Sequence, residues 1–339
     1  MDRFKIESEG LAKSWQRYDS AHLRDYLVRG VEDPRINVQS ILSRHFLIER
    51  LFGRRFEAVA DAELRFAIAM NWLMKTVSTC ARVEQLGELL DSLLDGIEIA
   101  NGTRIPAYVQ SIFDSLPCEC NGVIVANYVN EVLMWPPMEP VALPLPESVL
   151  NTFATIWQNL LACEPTERIS VIEPACGSAN DYRFLHAFGI APLIDYCGFD
   201  LCDKNIANAR RMFGDANFGC ANVLEIGHAD KSFDFCFVHD LFEHLSPAAF
   251  DRAVEEVVRV TLKACCLSFF NAGCNPEHIE RPIEDYHWNT LSISQTDQLL
   301  RRLGCETKII GIDAWLRQQF ECGDTHNKQA YTVIATIKI

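Results

Sequence analysis

Two rhythms of apolar residues run along this chain. Val38, Ile41, Leu42, Phe46 and Leu51 recur at helical spacing, and so do Val83, Leu86, Leu90, Leu93 and Ile97. Spacings of three and four place the second set on one face of a helix, and the first makes a similar stripe. Between them Leu64 to Leu73, with FAIAMNWL inside it, is apolar nearly all round, which predicts the buried centre of a helical bundle. From about residue 168 the rhythm changes. Short apolar runs, ISVIE (169–173), LIDYCGF (193–199), FDFCFVH (233–239) and CCLSFF (265–270), alternate with helical stretches. Continuous apolar strands between helices predict a mostly parallel sheet covered on both faces. Two further runs, KIIGI (308–312) and AYTVIATIKI (330–339), show no helical stretch between them and predict a closing antiparallel hairpin.

Local signals mark the boundaries. Ser246 and Pro247 open one helix as N-cap and first-turn proline, and Ser292 to Gln295 has the spacing of a capping box. The segment WPPMEPVALPLP (135–146) holds five of the fourteen prolines, so it should be extended and stiff. The expected organisation is a helical domain over 1–134, a proline-rich linker over 135–147, and an α/β domain over 148–339. The helical part carries no motif that names a chemistry. Arg44, Arg50, Arg54 and Arg55 read as a solvated basic face.

Composition narrows the partners. The chain has 339 residues, 31 Lys plus Arg against 46 Asp plus Glu, and a net charge of −15. That charge repels phosphate backbones, so no nucleic-acid partner is expected. The first ten residues carry five charges and no apolar centre, so no leader is expected. The stretch 148–163 falls short of the roughly 18 apolar residues of a membrane span. A cytoplasmic protein with no membrane partner is the expectation. The fourteen cysteines are scattered without C-x-x-C spacing, which predicts reduced, mostly buried thiols and no metal site.

Ligands of open α/β sheets bind beyond the carboxyl ends of the strands. Glu173 ends the first strand, and Ala175, Gly177 and Ala179 make the small-residue turn that follows. A pyrophosphate site uses G-x-G-x-x-G, and here Gly177 stands alone beside a carboxylate. A nicotinamide-dependent oxidoreductase is therefore disfavoured. Asp200, followed by Leu201 at the end of the second strand, is placed to take two ribose hydroxyls. A cofactor with a sulfonium and an ammonium but no phosphate fits this turn, and S-adenosylmethionine is such a molecule.

With these motifs in order, residues from about 150 to 339 resemble the class I S-adenosylmethionine-dependent methyltransferases, in particular those acting on small molecules. VIEPACGSAND resembles the first motif of that family, Asp200 its ribose-binding acid, and CANVLEIGHADKSFDFCFVHDLFEHLSP its acidic-loop, strand and E-H-L pattern. Gly304 matches the usual glycine before the sixth strand. The resemblance implies a Rossmann-like doubly wound sheet and S-adenosylmethionine as cofactor. It also implies Asn222 near the adenine amino group, where the family usually has Asp, with Val223 against the ring. Ala175 and Ala179 depart from the family's glycines but keep the loop small.

Methyl transfer needs an acceptor held in line and, for oxygen or nitrogen, a proton removed. His239 and His244 are the candidate bases, because an unperturbed imidazole titrates near neutrality. His239 also falls among the cofactor-binding candidates. Asp240, Asn271, His287 and Trp288 are candidates for holding a small-molecule acceptor. The alternatives are a protein methyltransferase that docks through its helical half, and a noncatalytic S-adenosylmethionine-binding regulator. A homodimer through the helical domain is also open.

Overall fold

The computed structural model describes residues 8–9, 33–79, 150–162, 164, 167–283, 286–323 and 327–338, with side chains of the 57–79 helix described to Trp72. The 83–97 stripe and the 135–147 linker lie outside the described residues. Eight helices of the described residues are used below: α1 (Val38–Phe52), α2 (Glu57–Thr79), α3 (Thr152–Leu161), α4 (Asn180–Ala187), α5 (Asp203–Met212), α6 (Pro247–Val260), α7 (Ile293–Arg302) and α8 (Ile312–Phe320). The main sheet has seven strands: β1 (Ile169–Pro174), β2 (Ile194–Asp200), β3 (Asn217–Cys220), β4 (Phe233–His239), β5 (Thr261–Phe269), β6 (Cys305–Gly311) and β7 (Tyr331–Ile337). Their spatial order is β6-β7-β5-β4-β1-β2-β3.

The first five strands are mutually parallel, with Ile169 opposite Ile194 and His239 opposite Ser268. β7 runs antiparallel between β5 and β6. The strand order reverses between β1 and β4, so their carboxyl ends open the crevice where such sheets bind ligands. Strand alternation divides the core. Phe235 and Phe237 face one layer, and Cys236 and Val238 face the other. Both layers are covered, which explains why these strands read as continuous apolar runs.

The layer built on Phe235 contains α1 to α5 and α8, while α6 and α7 cover the opposite face. Ile41, Phe46 and Leu47 of α1 and Phe66 of α2 belong to the same core as Val171 and Phe237 of the sheet. The described part of the helical half therefore has no separate core, and its apolar face is spent on the sheet. Among the described residues, no helix is long and apolar enough to cross a membrane.

Caps follow the sequence reading with one difference. Ser246 accepts from the Ala249 amide at 3.3 Å and Ser292 from the Gln295 amide at 3.2 Å. The return half of the capping box is missing: the Gln295 side chain accepts instead from His278 N at 3.2 Å, and Ser292 N donates to His278 Nδ1 at 3.0 Å. Three expectations need correction. The last two strands pair as expected, but α8 joins them where no helix is predicted. Its buried positions Ile312, Leu316 and Phe320 are spaced by four, so the segment amphipathically covers the sheet edge. β3 has only four residues, with Phe218 its one buried position, and left no signal in the apolar pattern. Arg44 is not on a solvated face. It is buried on the core side of α1, where its guanidinium meets Glu63 of α2 at 2.7 Å and lies 4.0 Å from the Phe188 ring centroid.

Candidate active site

The turn after β1 is shaped by three left-handed residues, Ala175 (φ 58°), Gly177 (φ 55°) and Ala179 (φ 65°). A side chain in this region costs about 1–2 kcal/mol, so the two alanines hold the loop under strain. Gly177 has a second reason to lack a Cβ, which would stand 3.1 Å from Asn180 Nδ2. The loop is fastened from β2. Asp200 accepts from Gly177 N at 3.0 Å with one oxygen and from Cys202 N at 2.8 Å with the other. Asn205 Nδ2 lies 3.3 Å from that second oxygen. Burial nevertheless raises the Asp200 carboxyl above its ordinary value.

Glu173 is buried at the base of the crevice and accepts from the Tyr196 hydroxyl. Burial, then the neighbouring Asp181, pushes its carboxyl well above the usual range. Tyr196 reaches it along β2 because Gly198, two residues on, leaves room: a Cβ there would overlap the Tyr196 hydroxyl.

At the end of β4, His239 lies between two elements. Its Nδ1 is 2.8 Å from Asp181 Oδ2 on α4, and its Nε2 is 2.6 Å from Ser43 Oγ on α1. Burial opposes a charge there, but Asp181, with Asp240 and Glu173, raises the imidazole to about 9. His244 is the opposite case, lowered by burial. Its Nδ1 donates to the His287 carbonyl at 3.1 Å, which leaves the lone pair of the neutral ring on Nε2. The ring packs against Trp288 and Phe270, with centroids 5.3 and 5.5 Å away.

These side chains border one cavity of about 250 Å³. Glu173, Ala175, Gly177, Asp200, Leu201, Asn222, Val223, His239, Asp240 and His244 all line it. Asn271, His287 and Trp288 stand outside its lining. Asn271 donates to the Asn289 carbonyl at 2.8 Å, and its own amide N–H goes to Glu243, so it ties the loops after β4 and β5 together. Trp288 is packed against the His244 and Phe270 rings, and His287 supplies the carbonyl that orients His244. Glu243 is fully buried beneath this corner, raised to about 8 by burial and the nearby Asp240.

One wall of the cavity was not legible in the sequence. Ser8, Pro34, Asn37, Gln39 and Ser40 line it, from a region without a recognisable motif. Asn37 caps α1 by accepting from the Gln39 and Ser40 amides at 2.9 and 3.1 Å. Gln39 Nε2 then donates to the Phe269 and Tyr331 carbonyls, at 3.2 and 2.9 Å, which seats the start of α1 over the ends of β5 and β7. Asn222 Nδ2 donates to Ser8 Oγ at 2.8 Å, and its Oδ1 accepts from Leu224 N at 3.0 Å.

The lining chemistry suits a cation with hydrogen-bond donors. Glu173, Asp181, Asp200 and Asp240 converge on the cavity, and Asn180 Oδ1 is a buried acceptor with no partner among the described residues. An ammonium and ribose hydroxyls would satisfy such groups, so these residues fit S-adenosylmethionine. Among the described residues, no group of three or more His, Cys, Asp or Glu could hold a metal ion.

A seven-stranded sheet of this order, with an acid-lined crevice over its carboxyl ends, defines a class I S-adenosylmethionine-dependent methyltransferase-like domain. Residues 172–266 match the methyltransferase domain family. The matched segment runs from β1 through most of β5 and makes this part of the chain a methyltransferase domain with S-adenosylmethionine as its cofactor. Solved structures similar to the chain include the following three. An S-adenosylmethionine-dependent methyltransferase from Mesorhizobium loti is 16% identical, with 54% of this chain and 97% of that one covered and a TM-score of 0.40. One from Methanosarcina mazei is 14% identical over 53% and 97%, with a TM-score of 0.40. The 1,6-didemethyltoxoflavin-N1-methyltransferase of Burkholderia thailandensis, with 1,6-didemethyltoxoflavin and S-adenosylhomocysteine bound, is 12% identical over 55% and 76%, TM-score 0.39. No curated protein matches the chain.

Proposed function

We propose that the chain methylates an oxygen or nitrogen of a small molecule held between α1 and the loop after β4. One observation carries this reading. The start of α1, with Pro34 and Asn37, lines the same cavity as Asp240 and His244, and among the described residues this recess of about 250 Å³ favours a compact acceptor. A net charge of −15 also disfavours nucleic acid.

When bound, S-adenosylmethionine supplies a methyl group on a sulfonium. Asp200 would take the ribose hydroxyls, and Asn180 and Glu173 would serve the methionine end. Val223 would meet the adenine, and Asn222 would offer its second carbonyl lone pair to the adenine amino group. The residues before 135 contribute to the acceptor wall, and those from 148 onward hold the cofactor. His244 takes the acceptor proton on Nε2, with the tautomer fixed by the His287 carbonyl. His239 is passed over, because both its nitrogens are engaged and its neighbours favour the charged ring.

Labelled methyl groups from S-adenosylmethionine should appear in small phenols, hydroxylated compounds or amines. Label confined to protein or RNA fractions would overturn this reading. With an acceptor in hand, burial of His244 predicts a rate that rises with pH below about 6.5 and is level by neutrality. His244→Gln should abolish that rise and leave S-adenosylhomocysteine affinity intact. A rise centred at or above 7 in the wild type would remove His244 as the base.

A further inference from the structure

We propose that Ser43, His239 and Asp181 form a charged bracket that clamps α1 onto the end of β4. In this scheme Ser43 and Asp181 are positioning residues for methyl transfer. The functional consequence rests on the reading that α1 forms the acceptor wall; the bracket itself rests on the contacts of the His239 ring and the charges that face it.

The Ser43 hydroxyl has a single proton. It lies 3.1 Å from the Gln39 carbonyl, a group that can only accept, and the bracket assigns the proton there. The oxygen is then left to accept from His239 Nε2 at 2.6 Å. On the other side of the ring, Asp181 Oδ2 accepts from Nδ1 at 2.8 Å. In this arrangement both ring nitrogens donate, as only the imidazolium can, and the carboxylates around the ring favour that form. The chain of bonds runs from the carboxylate of α4, through the cation of β4, to the hydroxyl and carbonyl of α1. Charge-assisted bonds of this kind are about twice as strong as neutral ones.

The surroundings support the charge. Asp240 from the loop after β4 and Glu173 from β1 face the ring along with Asp181. Cys266 of β5 lies 3.7 Å from Ser43 Oγ, and Arg44, next to Ser43 in the chain, is paired to Glu63. The imidazole is raised to about 9 from an ordinary 6.5, so the bracket is complete below 6.5 and is lost as pH rises through about 9. Hydroxyl, imidazole and carboxylate in this order also occur in hydrolases, but Ser43 is buried within α1 with its proton turned to its own helix. It is not presented to a substrate.

The test uses the full chain and needs no acceptor. Nitrogen-15 spectra should show His239 with both ring nitrogens protonated at pH 7 and titrating well above 6.5. Ser43→Ala should raise amide exchange over 38–52 by about tenfold or more, the loss of one bond to a charged group. It should also lower the His239 midpoint. Ser43→Thr keeps the hydroxyl, beside a small void bounded by Ser40, Leu47, Phe184 and Phe237, and should restore both readouts. Asp181→Asn, a second and nearly isosteric variant, should move the His239 midpoint down towards 6.5. A singly protonated His239 at pH 7, or wild-type exchange over α1 in Ser43→Ala, would overturn the bracket. The labelling experiment reads the acceptor class separately, so either idea can fail while the other stands.

Discussion

Asp200→Ala should weaken S-adenosylhomocysteine binding by about ten- to a thousandfold, since hydrogen bonds to a charged group contribute roughly 1.5–3 kcal/mol each. The carboxylate has two tasks. It faces the cavity, where the proposed function has it accept from the ribose, and its oxygens hold Gly177 N and Cys202 N, 3.0 and 2.8 Å away. Alanine removes both, leaving the strained turn without its fastening. Asp200→Asn keeps one acceptor oxygen and should fall between alanine and wild type. Burial raises the Asp200 carboxyl, and ribose hydroxyls donate to its ionised form, so ligand binding should draw its pKa down. Affinity should therefore increase as pH rises through that raised value. Titration calorimetry, with melting followed in parallel, checks both claims. An unchanged dissociation constant in a normally melting Asp200→Ala protein would remove the residue from the site.

The parts of this site that the sequence disclosed are the parts that topology brings together. Glu173, Asp200 and His239 end strands whose apolar runs are unbroken, and a parallel sheet gathers those ends on one edge. The opposite wall was hidden for a physical reason. Periodicity tells which face of α1 is buried, not what it is buried against, so nothing in the pattern paired Ser43 with His239 across 196 positions. Arg44 misled in the same way: a charge beside other charges reads as solvated until its partner, Glu63, is seen within the core. Residue type and position near the strand ends point Trp288 and Asn271 towards an acceptor. Their directions, set by ring packing and by the Asn289 carbonyl, turn them away from the cavity. The helix α8 escaped because its three buried positions follow a strand directly, where an apolar residue such as Ile312 reads as more strand.

Glu63→Ala should be among the most destabilising single changes in the chain, at about 3–5 kcal/mol, the usual cost of removing one partner from a buried ion pair. Glu63 is fully buried on α2, and its two oxygens serve three groups. Arg44 Nη2 donates at 2.7 Å to one, while His45 Nε2 and Trp157 Nε1 both lie 2.6 Å from the other. Truncation would strand a guanidinium that is only 3% exposed and an indole N–H from α3. The network thus joins α1, α2 and α3 over the same layer that carries Phe235 and Phe237. A fragment beginning near residue 145 would lose it, together with the apolar cover of that face, so it is a poor vehicle for isolating cofactor binding. The pH dependence follows from the same contacts. Burial opposes ionisation, but Arg44 and His45 hold the Glu63 carboxyl down to about 2 from an ordinary 4.5. Its stabilisation should therefore be complete above pH 4.5 and disappear as pH falls towards 2. Urea unfolding of Glu63→Ala and Glu63→Gln at pH 7 and pH 3.5 measures both effects, with the difference from wild type smaller at the lower pH. As a control, loss of the exposed Arg54–Glu57 pair should change little. If Glu63→Ala unfolded within about 0.5 kcal/mol of wild type, the range of ordinary surface changes, α1 would be held to the sheet by apolar packing and the His239 bracket without this network.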